Sequence, residues 1–586
     1  MINSWTRKIK INKMKLNGAK AVVEALKDEG AFTVFGIPGS ANLPLYDELQ
    51  KDGEIKHIHM RHEQGASHAA EGFARVLGKV GVCIATSGPG ATNLVTGIAD
   101  AFMDSVPIVA LTGQVPTKLL GKDAFQETDI VGVTMPITKH NLRISKAEEA
   151  YPAVREAFAI ALKGRPGPVL VDLPKDFQAA EFELDKKNFR INFNYTEPAI
   201  DKEKIKNAAE MLLNADRPMI LAGGGVTIAN AGAELTKLAE TLLCYAATTI
   251  TARGAIPTDH PFSLGQIGMH GRQVTNHAIA NCDVLFAVGT RFSDRITGDI
   301  KSFAPHAKII HVDIDPSEMG KNVNANLAIV ADAKTALREI LHCISIMNAK
   351  GKDNLWRQKI SQLNKDCNCN IGYNESPIRP ETIIKELNKA LPEDIIVTTE
   401  VGHHQMFSTH FLKVRNPRHF LTSAGLGTMG FGLPAAIGCK AAKPEHPVID
   451  IAGDGSLIMV CQEMATSVEH NLPVSIALVN NGWYAIVKEW QHKFYGGRYL
   501  ATNLGKSTDF VKLAESFGGR GIRVEKPSEI NDAVKQSLQS DKLFLIDIMA
   551  NPDGSGIPLV PPLGKNTEMI LAKQCSIVSR GYFDGH

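Results

Sequence analysis

A carboxylate and an amide stand at the ends of two apolar segments within IAGDGSLIMVCQEMATSVEHNLPVSIALVNNGWYAI, residues 451–486. Asp454 lies in the Gly-Asp-Gly that ends the first segment, and Asn481 lies in the Asn-Asn that ends the second, 27 residues later. Two parallel strands joined by a helix would place both side chains at one edge of a sheet. Because Mg²⁺ prefers oxygen ligands of this kind, the spacing predicts that Asp454 and Asn481 bind the ion, with the backbone carbonyl of Trp483 as third ligand.

The remaining coordination positions of such an ion are typically filled by phosphate oxygens and water. Backbone N–H groups suited to a diphosphate occur upstream, next to predicted helix N-termini, in residues 401–404 and in the run SAGLGTMGFGLPAAIG at 423–438. A tight turn would explain the Gly-Asp-Gly alone, but it would not explain the Asn-Asn at this spacing. We therefore expect the ion to hold a diphosphate.

Glu63 is a third candidate for chemistry, because it follows the apolar IKHIHM and opens the small-residue helix GASHAAEGFARVLG. A carboxylate at a strand-to-helix junction is placed to contact a ligand. The alternative is a first-turn glutamate that is stabilised by the helix dipole. The run TSGPGATN at 86–93 predicts a loop whose backbone approaches a ligand, although such loops are common in α/β proteins.

The elements that would position these residues form three blocks of alternating strand-like and helix-like segments, which is typical of βαβ units. The predicted fold class is α/β, with three consecutive doubly wound parallel-sheet domains. We place the N-terminal domain at 14–180, the central domain at 196–345, the C-terminal domain at 376–549 and a tail at 550–586, with polar linkers near 181–200 and 348–377.

Length and composition are those of an ordinary globular protein: at ~150 residues per domain, 586 residues suggest three or four domains. The net charge of +2 argues against nucleic acid or an acidic membrane surface as partner, and no apolar run approaches the ~20 residues that span a bilayer. Nine scattered cysteines, with Cys367 and Cys369 as the one close pair, favour a reducing compartment over a metal or disulfide site. The basic N-terminus favours a short extension over a transit peptide, so we expect a cytoplasmic protein.

The Gly-Asp-Gly, 24 further residues and Asn-Asn resemble the signature of thiamine diphosphate-dependent enzymes. RHEQGASHAAEGFAR, DAFQET, GMHG, RFSDRITG and GLGTMGFGLPAAIG extend this resemblance to the catalytic large subunits of the acetohydroxyacid synthase (acetolactate synthase) family, over residues 15–565. The resemblance implies pyrimidine- and diphosphate-binding outer domains (the thiamine diphosphate-binding fold) and a central FAD-binding-type domain. It also implies branched-chain amino acid biosynthesis: pyruvate is decarboxylated on thiamine diphosphate, and the hydroxyethyl carbanion is transferred to pyruvate or 2-oxobutyrate, giving 2-acetolactate or 2-aceto-2-hydroxybutyrate.

The same resemblance assigns roles to individual residues. Glu63 activates the cofactor through its aminopyrimidine ring, Gly427 orients the amino group, and Met429 supports the bend of the cofactor. The catalytic and acceptor-binding set also includes Phe125, Gln126, Lys139, Met269, Arg295 and Trp490. The full cofactor set is Pro38, Gly39, Glu63, Val401, Gly402, His403, His404, Gly427, Met429, Gly453, Asp454, Gly455, Ser456 and Asn481 for thiamine diphosphate and Mg²⁺, and Gly223, Gly224, Gly225, Arg291, Asp313, Ile314 and Asp332 for FAD.

The family resemblance further implies a homo-oligomer, at least a dimer and in some members a tetramer, because the cofactor lies between domains of two subunits. Some members also have a regulatory small subunit. Departures from the family pattern are Ser40 in Pro-Gly-Ser, Lys118 in place of an arginine, and 482–486 in place of Gln-His-Leu-Gly-Met; these changes concern substrate selection. Two other interpretations stay open: another thiamine diphosphate-dependent 2-oxo acid decarboxylase, oxidase or acyltransferase, and a non-enzymatic cofactor-binding protein.

Overall fold

The computed structural model describes residues 14–186, 195–366, 376–553 and 557–571. The predictions for the basic N-terminus up to residue 13, for Cys367 and Cys369, and for residues 554–556 and 572–586 of the tail lie outside these ranges. The chain divides into two compact units. The first comprises residues up to 74 with 79–195, and the second comprises 75–78 with the residues from 196 onward.

The first unit alternates strands and helices, as predicted. Its strands are β1 (Met14–Asn17), β2 (Thr33–Gly36), β3 (Lys56–His59), β4 (Gly81–Ala85), β5 (Ile108–Gln114), β6 (His140–Arg143), β7 (Val169–Pro174) and β8 (Glu181–Leu184). Its helices are α1 (Gly18–Asp28), α2 (Leu43–Asp52), α3 (Glu63–Leu77, whose last turn belongs to the second unit), α4 (Pro89–Asn93), α5 (Val95–Asp104), α6 (Ile130–Thr134), α7 (Ala150–Leu162) and α8 (Lys175–Ala179). Six strands form one parallel sheet in the order β3-β2-β4-β5-β7-β6.

One element of the first unit differs from the prediction. The first residues of the expected linker at 181–200 form β8, which pairs antiparallel with β1 in a two-stranded sheet. Leu184 is buried opposite Met14, and Leu16 is buried opposite Phe182. The charged residues that alternate with these apolar positions gave the segment the composition of a linker, whereas period-two alternation is the pattern of a half-buried strand.

The central part of the second unit contains another six-stranded parallel sheet, in the order β11-β10-β9-β12-β13-β14. This order is the 3-2-1-4-5-6 arrangement of doubly wound dinucleotide-binding folds. The strands are β9 (Pro218–Ala222), β10 (Tyr245–Thr248), β11 (Ser263–Gln266), β12 (Val284–Val288), β13 (Lys308–Asp313) and β14 (Leu327–Val330). The helices are α9 (Lys202–Asn214), α10 (Gly224–Ile228), α11 (Gly232–Leu242), α12 (Gln273–Asn281), α13 (Asp294–Thr297), α14 (Ala333–Ile346) and α15 (Leu355–Asp366).

Helix α15 corrects a second prediction, because it lies within the segment 348–377 that was expected to be a linker. Ile360 and Leu363, three residues apart on one helical face, are fully buried. They join an apolar cluster on one side of the central sheet, which Trp356 also contacts. Most residues of this segment are polar and lie on the outer face of the helix, so its composition resembles that of a linker although a narrow apolar stripe is present.

The C-terminal sheet of the second unit is parallel, in the order β16-β15-β17-β18-β20-β19. Numbered from its own first strand, it has the order 2-1-3-4-6-5, as does the sheet of the first unit. The strands are β15 (Ile396–Thr399), β16 (Phe420–Thr422), β17 (Val448–Gly453), β18 (Ser475–Asn480), β19 (Arg520–Val524) and β20 (Phe544–Met549). The helices are α16 (Pro380–Ala390), α17 (His403–Phe411), α18 (Gly432–Ala442), α19 (Asp454–Leu457), α20 (Glu463–Glu469), α21 (Ala485–Phe494), α22 (Phe510–Ser516) and α23 (Pro527–Leu538).

The fold class is therefore confirmed: three parallel α/β sheets follow one another along the chain. Each large sheet lies inside one of the three predicted domain ranges, and the division into three domains stays a prediction. None of the helices in the described ranges is both long and apolar enough to cross a membrane.

Candidate cofactor and active site

The Gly-Asp-Gly turn lies at the point where the strand order of the C-terminal sheet reverses. The order runs outward from β15 in one direction and from β17 in the other. Residues 400–404 follow β15, and Asp454 follows β17 directly. In open parallel sheets, ligands bind outside the carboxyl ends of the strands at this position. Two of the predicted cofactor-binding segments therefore flank the crevice where a ligand is expected.

Asp454 and Asn481 are brought together through a short stretch of backbone. Oδ2 of Asp454 accepts a hydrogen bond from the N–H of Gly482 at 2.7 Å, and Oδ1 of Asn481 accepts one from the N–H of Trp483 at 3.0 Å. Burial raises the pKa of Asp454 to about 6, against the opposing effect of the bond from Gly482. A divalent cation beside this buried carboxylate would offset the cost of its charge, so the oxygen donors present fit Mg²⁺.

Asn480 faces a different environment from its neighbour. Its Nδ2 donates a hydrogen bond to Oδ1 of Asp547 at 2.8 Å, and Oδ2 of the same fully buried aspartate accepts from Nε of Arg523 at 3.0 Å. The first asparagine of the pair thus links β18 to β20, whereas the second follows the end of the strand. The tertiary structure separates two residues that the sequence presents as a pair.

The turn after β15 packs tightly against the Gly-Asp-Gly turn through His404. A Cβ atom on Gly453 would lie 2.6 Å from the imidazole ring, and one on Gly402 would lie 2.8 Å from it. Burial lowers the pKa of His404 to about 3, so the ring is neutral at physiological pH. Its Nε2 is buried and has no hydrogen-bond partner within the described ranges. An unsatisfied polar atom beside the switch point is consistent with a ligand there.

Sequence reasoning did not find the hydrogen bond between His403 and Glu489. His403 Nε2 and Glu489 Oε2 are 2.6 Å apart, and Lys493 also bonds to this carboxylate. Burial alone would raise the pKa of Glu489, but the contacts with His403 and Lys493 hold it well below its usual range. Glu489 precedes Trp490 on α21, so this pair connects the turn after β15 to the helix that bears the predicted acceptor-binding tryptophan. Only the folded chain reveals the pairing, because the two residues are 86 positions apart.

Gly427 and Met429 lie in the loop before α18. Gly427 has a φ of 74°, and a Cβ atom there would meet nothing within 4 Å. A glycine is therefore favoured at position 427 because the backbone is left-handed there, and not because a larger side chain would collide with neighbouring atoms of the chain. The open space next to this backbone is compatible with a ligand that approaches it closely.

In the first unit, Glu63 begins α3 and is buried. Its Oε2 accepts a hydrogen bond from Nδ2 of Asn93 at 2.9 Å. A Cβ atom on Gly90 would lie 3.2 Å from Oε1 and 2.8 Å from Cγ2 of Thr86, and a Cβ atom on Gly39 would lie 2.5 Å from the same threonine. The structure thus gathers Glu63, the TSGPGATN loop and the Pro38-Gly39 turn at the switch point between β2 and β4.

Three further predicted residues of this unit occupy different surroundings. Gln126 adjoins the same loop, because a Cβ atom on Gly88 would lie 2.7 Å from its backbone oxygen. Phe125 is 85% exposed. Lys139 bonds instead to the carbonyl oxygens of Ile160 and Lys163, at the C-terminal end of α7. Its active-site role stays a prediction, and the observed contacts are those of a helix-capping lysine.

Met269 and Arg295, from GMHG and RFSDR, contact each other in the second unit. Nη1 of Arg295 lies 3.5 Å from Sδ of Met269, and the Met269 N–H donates to the backbone oxygen of Arg295 at 2.8 Å. The guanidinium is largely exposed, whereas Met269 is buried. The tail contributes here as well, because the N–H of Val560 donates to the Met269 carbonyl at 2.8 Å. The exposed guanidinium is thus available to an anionic ligand.

The predicted FAD residues lie at the carboxyl ends of four neighbouring strands, β9, β12, β13 and β14. A Cβ atom on Gly223 would lie 2.0 Å from the Gly289 carbonyl oxygen, so this glycine is required by packing between two strand ends. Asp332 caps α14 by accepting from the N–H of Thr335 at 2.9 Å. The location at the switch point of a 3-2-1-4-5-6 sheet fits a dinucleotide. The remaining residues of this set are Gly224 and Gly225, which begin α10, Arg291, Asp313 and Ile314.

Comparisons with known proteins agree with this geometry. Profiles of the thiamine pyrophosphate enzyme N-terminal TPP binding domain, central domain and C-terminal TPP binding domain match residues 16–133, 205–340 and 400–548. A probable acetolactate synthase large subunit of Methanocaldococcus jannaschii is 48% identical over 95% of both chains. The acetolactate synthase isozyme 2 large subunit of Escherichia coli K12 is 42% identical, over 95% of this chain and 99% of its own length. The acetolactate synthase large subunit of Corynebacterium glutamicum is 43% identical, over 97% and 92%.

Proposed function

Because this chain belongs to the thiamine pyrophosphate enzymes, and among them to the family of the acetolactate synthase large subunits, we propose that it condenses pyruvate with a second 2-oxo acid. The products are 2-acetolactate from pyruvate and 2-aceto-2-hydroxybutyrate from 2-oxobutyrate. The geometric observation that supports this most directly is the 2.7 Å bond from Gly482 to Asp454. It joins the Gly-Asp-Gly turn to the Asn481 turn at the switch point.

The proposed cofactor residues divide into two groups. The carboxylate of Asp454, the amide oxygen of Asn481 and the carbonyl of Trp483 would hold Mg²⁺, and the backbone of 401–404 and 453–456 would bind the diphosphate. When bound, thiamine diphosphate supplies the electron sink that decarboxylation of a 2-oxo acid requires. Gly427, beside which the chain leaves open space, would orient the cofactor, and Met429 of the same loop would support it.

Glu63 is the proposed proton-transfer residue. Its Oε2 is held by Asn93, which fixes the orientation of the carboxylate. Its Oε1 lies next to Gly90, where a Cβ atom would come within 3.2 Å of it, so a glycine at this position leaves the carboxylate oxygen uncrowded on that side. A carboxylate fixed in this way can exchange a proton with a ring nitrogen, and general acid–base groups of this kind contribute about 10²–10⁴-fold to turnover.

Arg295 is the proposed contact for the acceptor carboxylate, since an exposed guanidinium suits that group, and its neighbour Met269 would form an apolar wall. Trp490 would select the larger acceptor side chain.

We further propose that FAD binds at the switch point of the central sheet. The carboligation reaction needs no net electron transfer from FAD. The relatives are named large subunits, which supports a small-subunit partner for this chain. The cysteines of the described ranges form no disulfide, which supports a cytoplasmic location.

Product analysis tests the proposal. The purified chain receives thiamine diphosphate, Mg²⁺, FAD and pyruvate, with and without 2-oxobutyrate, and both acetohydroxy acids are quantified. We expect both products, with the mixed product favoured when 2-oxobutyrate is present. Acetaldehyde, peroxide or acetyl phosphate in their place would show that the chain is a decarboxylase, an oxidase or an acyltransferase instead.

A further inference from the structure

Two fully buried carboxyl groups, Glu400 and Asp450, lie beneath the loop that bears the proposed cofactor contacts. Glu400 directly follows β15, and Asp450 lies in β17, four residues before Asp454. The two strands are adjacent, and Thr398 of β15 lies directly opposite Asp450. Neither carboxyl has a place in the proposed metal or proton-transfer set, although both are close to the switch point. Isolated charges at such depth are costly unless they have partners.

Two hydrogen-bond partners of Glu400 are backbone N–H groups at the N-terminus of α18. Its Oε2 accepts from the N–H of Gly430 at 2.7 Å, and its Oε1 accepts from the N–H of Leu433 at 3.2 Å. No side chain at the N-cap position, Phe431, caps this helix. The carboxylate of Glu400 therefore takes the role of the cap from another element. An anion in this position is favoured by the unpaired N–H groups and by the helix dipole.

The surroundings of Asp450 favour its neutral form. Oδ1 accepts a hydrogen bond from Oγ1 of Thr398 at 3.1 Å, while Oδ2 is buried with no partner in the described part of the chain. A Cβ atom on Gly432 would lie 2.2 Å from Oδ1 and 2.8 Å from the backbone nitrogen of Glu400, so α18 begins directly against both residues. Burial and the neighbouring charge of Glu400 raise the pKa of Asp450 well above its usual range.

We propose that Glu400 is a positioning residue for the cofactor loop, defined as residues 427–430, and acts through its hydrogen bonds with the backbone N–H groups of Gly430 and Leu433. Gly430 ends this loop, so a bond to its N–H fixes the end of the segment that presents Gly427 and Met429. The role of Glu400 is one of positioning, because both of these bonds run to the backbone of the loop and of α18. The inference rests on the proposed binding of thiamine diphosphate, and it names a residue outside the set that the sequence indicated.

The test compares Glu400→Gln with Asp450→Asn in the full-length chain. Glutamine keeps the shape but turns an NH₂ group toward one of the two backbone donors and removes the charge. Loss of one charge-assisted hydrogen bond is expected to weaken the affinity for thiamine diphosphate with Mg²⁺, measured by calorimetry, about 10-fold. Asparagine imitates a protonated aspartic acid, so Asp450→Asn should leave the affinity within about twofold. Glu381→Gln is the matched control, because Glu381 is also fully buried in the first turn of a helix, α16.

Thermal unfolding of the cofactor-free chains separates positioning from general stability. A merely structural role would lower the melting temperature of Glu400→Gln without changing cofactor affinity, and this result would overturn the proposal. So would an Asp450→Asn chain that loses as much affinity as Glu400→Gln. Glu400→Asp, which keeps the charge on a shorter side chain, should recover part of the affinity.

A second measurement does not depend on the folding of Glu400→Gln. The infrared difference spectrum between the original chain and Asp450→Asn at neutral pH should contain the carbonyl band of a protonated carboxylic acid. A carboxylate band in its place would overturn the assignment of the proton. If the original chain binds thiamine diphosphate but makes no acetolactate, only the proposed function fails. If it does not bind the cofactor at all, both proposals fail.

Discussion

At the scale of single residues, Glu63 combines burial, an orientation fixed by Asn93 and a glycine, Gly90, next to Oε1. Glu63→Gln keeps the acceptor for Asn93 but removes the group that exchanges a proton. We expect turnover in the acetolactate assay to fall by about 10²–10⁴-fold with little change in melting temperature.

The matched control is Glu48→Gln, because Glu48 is another buried glutamate of the same unit, bonded to Asn17 and Lys51 away from the site. Its turnover should remain close to that of the original chain. Near-normal turnover of Glu63→Gln would remove the assigned role.

The two asparagines of the Asn-Asn pair should respond differently to removal of their side chains. Asn481→Ala deletes a proposed metal ligand, so the Mg²⁺ concentration for half-maximal activity should rise by about 10-fold or more, with an unchanged melting temperature. Asn480→Ala leaves Oδ1 of the buried Asp547 without its donor and should lower the free energy of unfolding by about 1–3 kcal/mol. Magnesium titration and thermal unfolding measure the two effects. If both substitutions changed the Mg²⁺ requirement and the stability equally, the assignment of a metal-binding role to Asn481 and a structural role to Asn480 would be contradicted.

At the scale of elements, the pairing of β5 with β7 buries Asp172 directly opposite Thr112. Burial raises the pKa of Asp172 to about 6, although hydrogen bonds from Thr112 and Gln114 oppose the shift. The pKa of Asp172 is higher in the folded chain than in the unfolded chain, so the protonated form of Asp172 stabilises the fold. This contribution to the free energy of unfolding is complete below about pH 4 and is lost as the pH rises through about 6. The loss amounts to about 3 kcal/mol, since each pKa unit corresponds to about 1.4 kcal/mol.

Asp172→Asn should therefore gain stability relative to the original chain as the pH rises from about 4.5 to about 7.5, because an amide has no charge to bury. Melting temperatures across this range measure the trend. Asp52→Asn is the control. Burial alone would raise the pKa of Asp52, but the bonds from Lys20 and Lys27 hold it below its usual range, so Asp52 stays ionised and Asp52→Asn should show a flat profile relative to the original chain between about pH 4.5 and about 7.5. Parallel pH profiles of the two variants would contradict the interpretation.

At the scale of the whole molecule, the proposed proton-transfer residue and the proposed metal ligands belong to different compact units. The family resemblance implies a cofactor between domains of two subunits, and on this basis we propose that one active site takes Glu63 from one chain and Asp454 from another. A mixture of Glu63→Gln and Asp454→Asn chains should then regain activity, although each is inactive alone. Random pairing into dimers would restore about a quarter of the original activity, since half of the dimers are mixed and each has one intact site.

The experiment requires that the two variants be unfolded and refolded together, or produced in the same cells. Mixing without exchange of subunits is the control and should give no activity. Failure of the co-assembled chains to regain activity, with dimers present by ultracentrifugation, would contradict a site shared between two chains.

The sequence by itself predicted much of this protein, because its signals are local. The apolar segments that end in Gly-Asp-Gly and Asn-Asn predicted β17 and β18 and the residues at their carboxyl ends, and these ends converge as parallel strands require. Where the apolar pattern was narrow, in β8 and α15, composition suggested linkers and was wrong. The large-scale repetition of α/β blocks was likewise visible without a structure.

Only the tertiary structure decided which polar groups meet. Glu400 caps a helix that begins 32 residues later, His403 pairs with Glu489, and Asn480 turns toward Asp547 while Asn481 does not. These contacts depend on strand order and on close backbone approaches, as at Gly223 and Gly453, that no short-range pattern encodes. The sequence determined which residues can do chemistry, and the packing of distant elements decided their charge, orientation and partners.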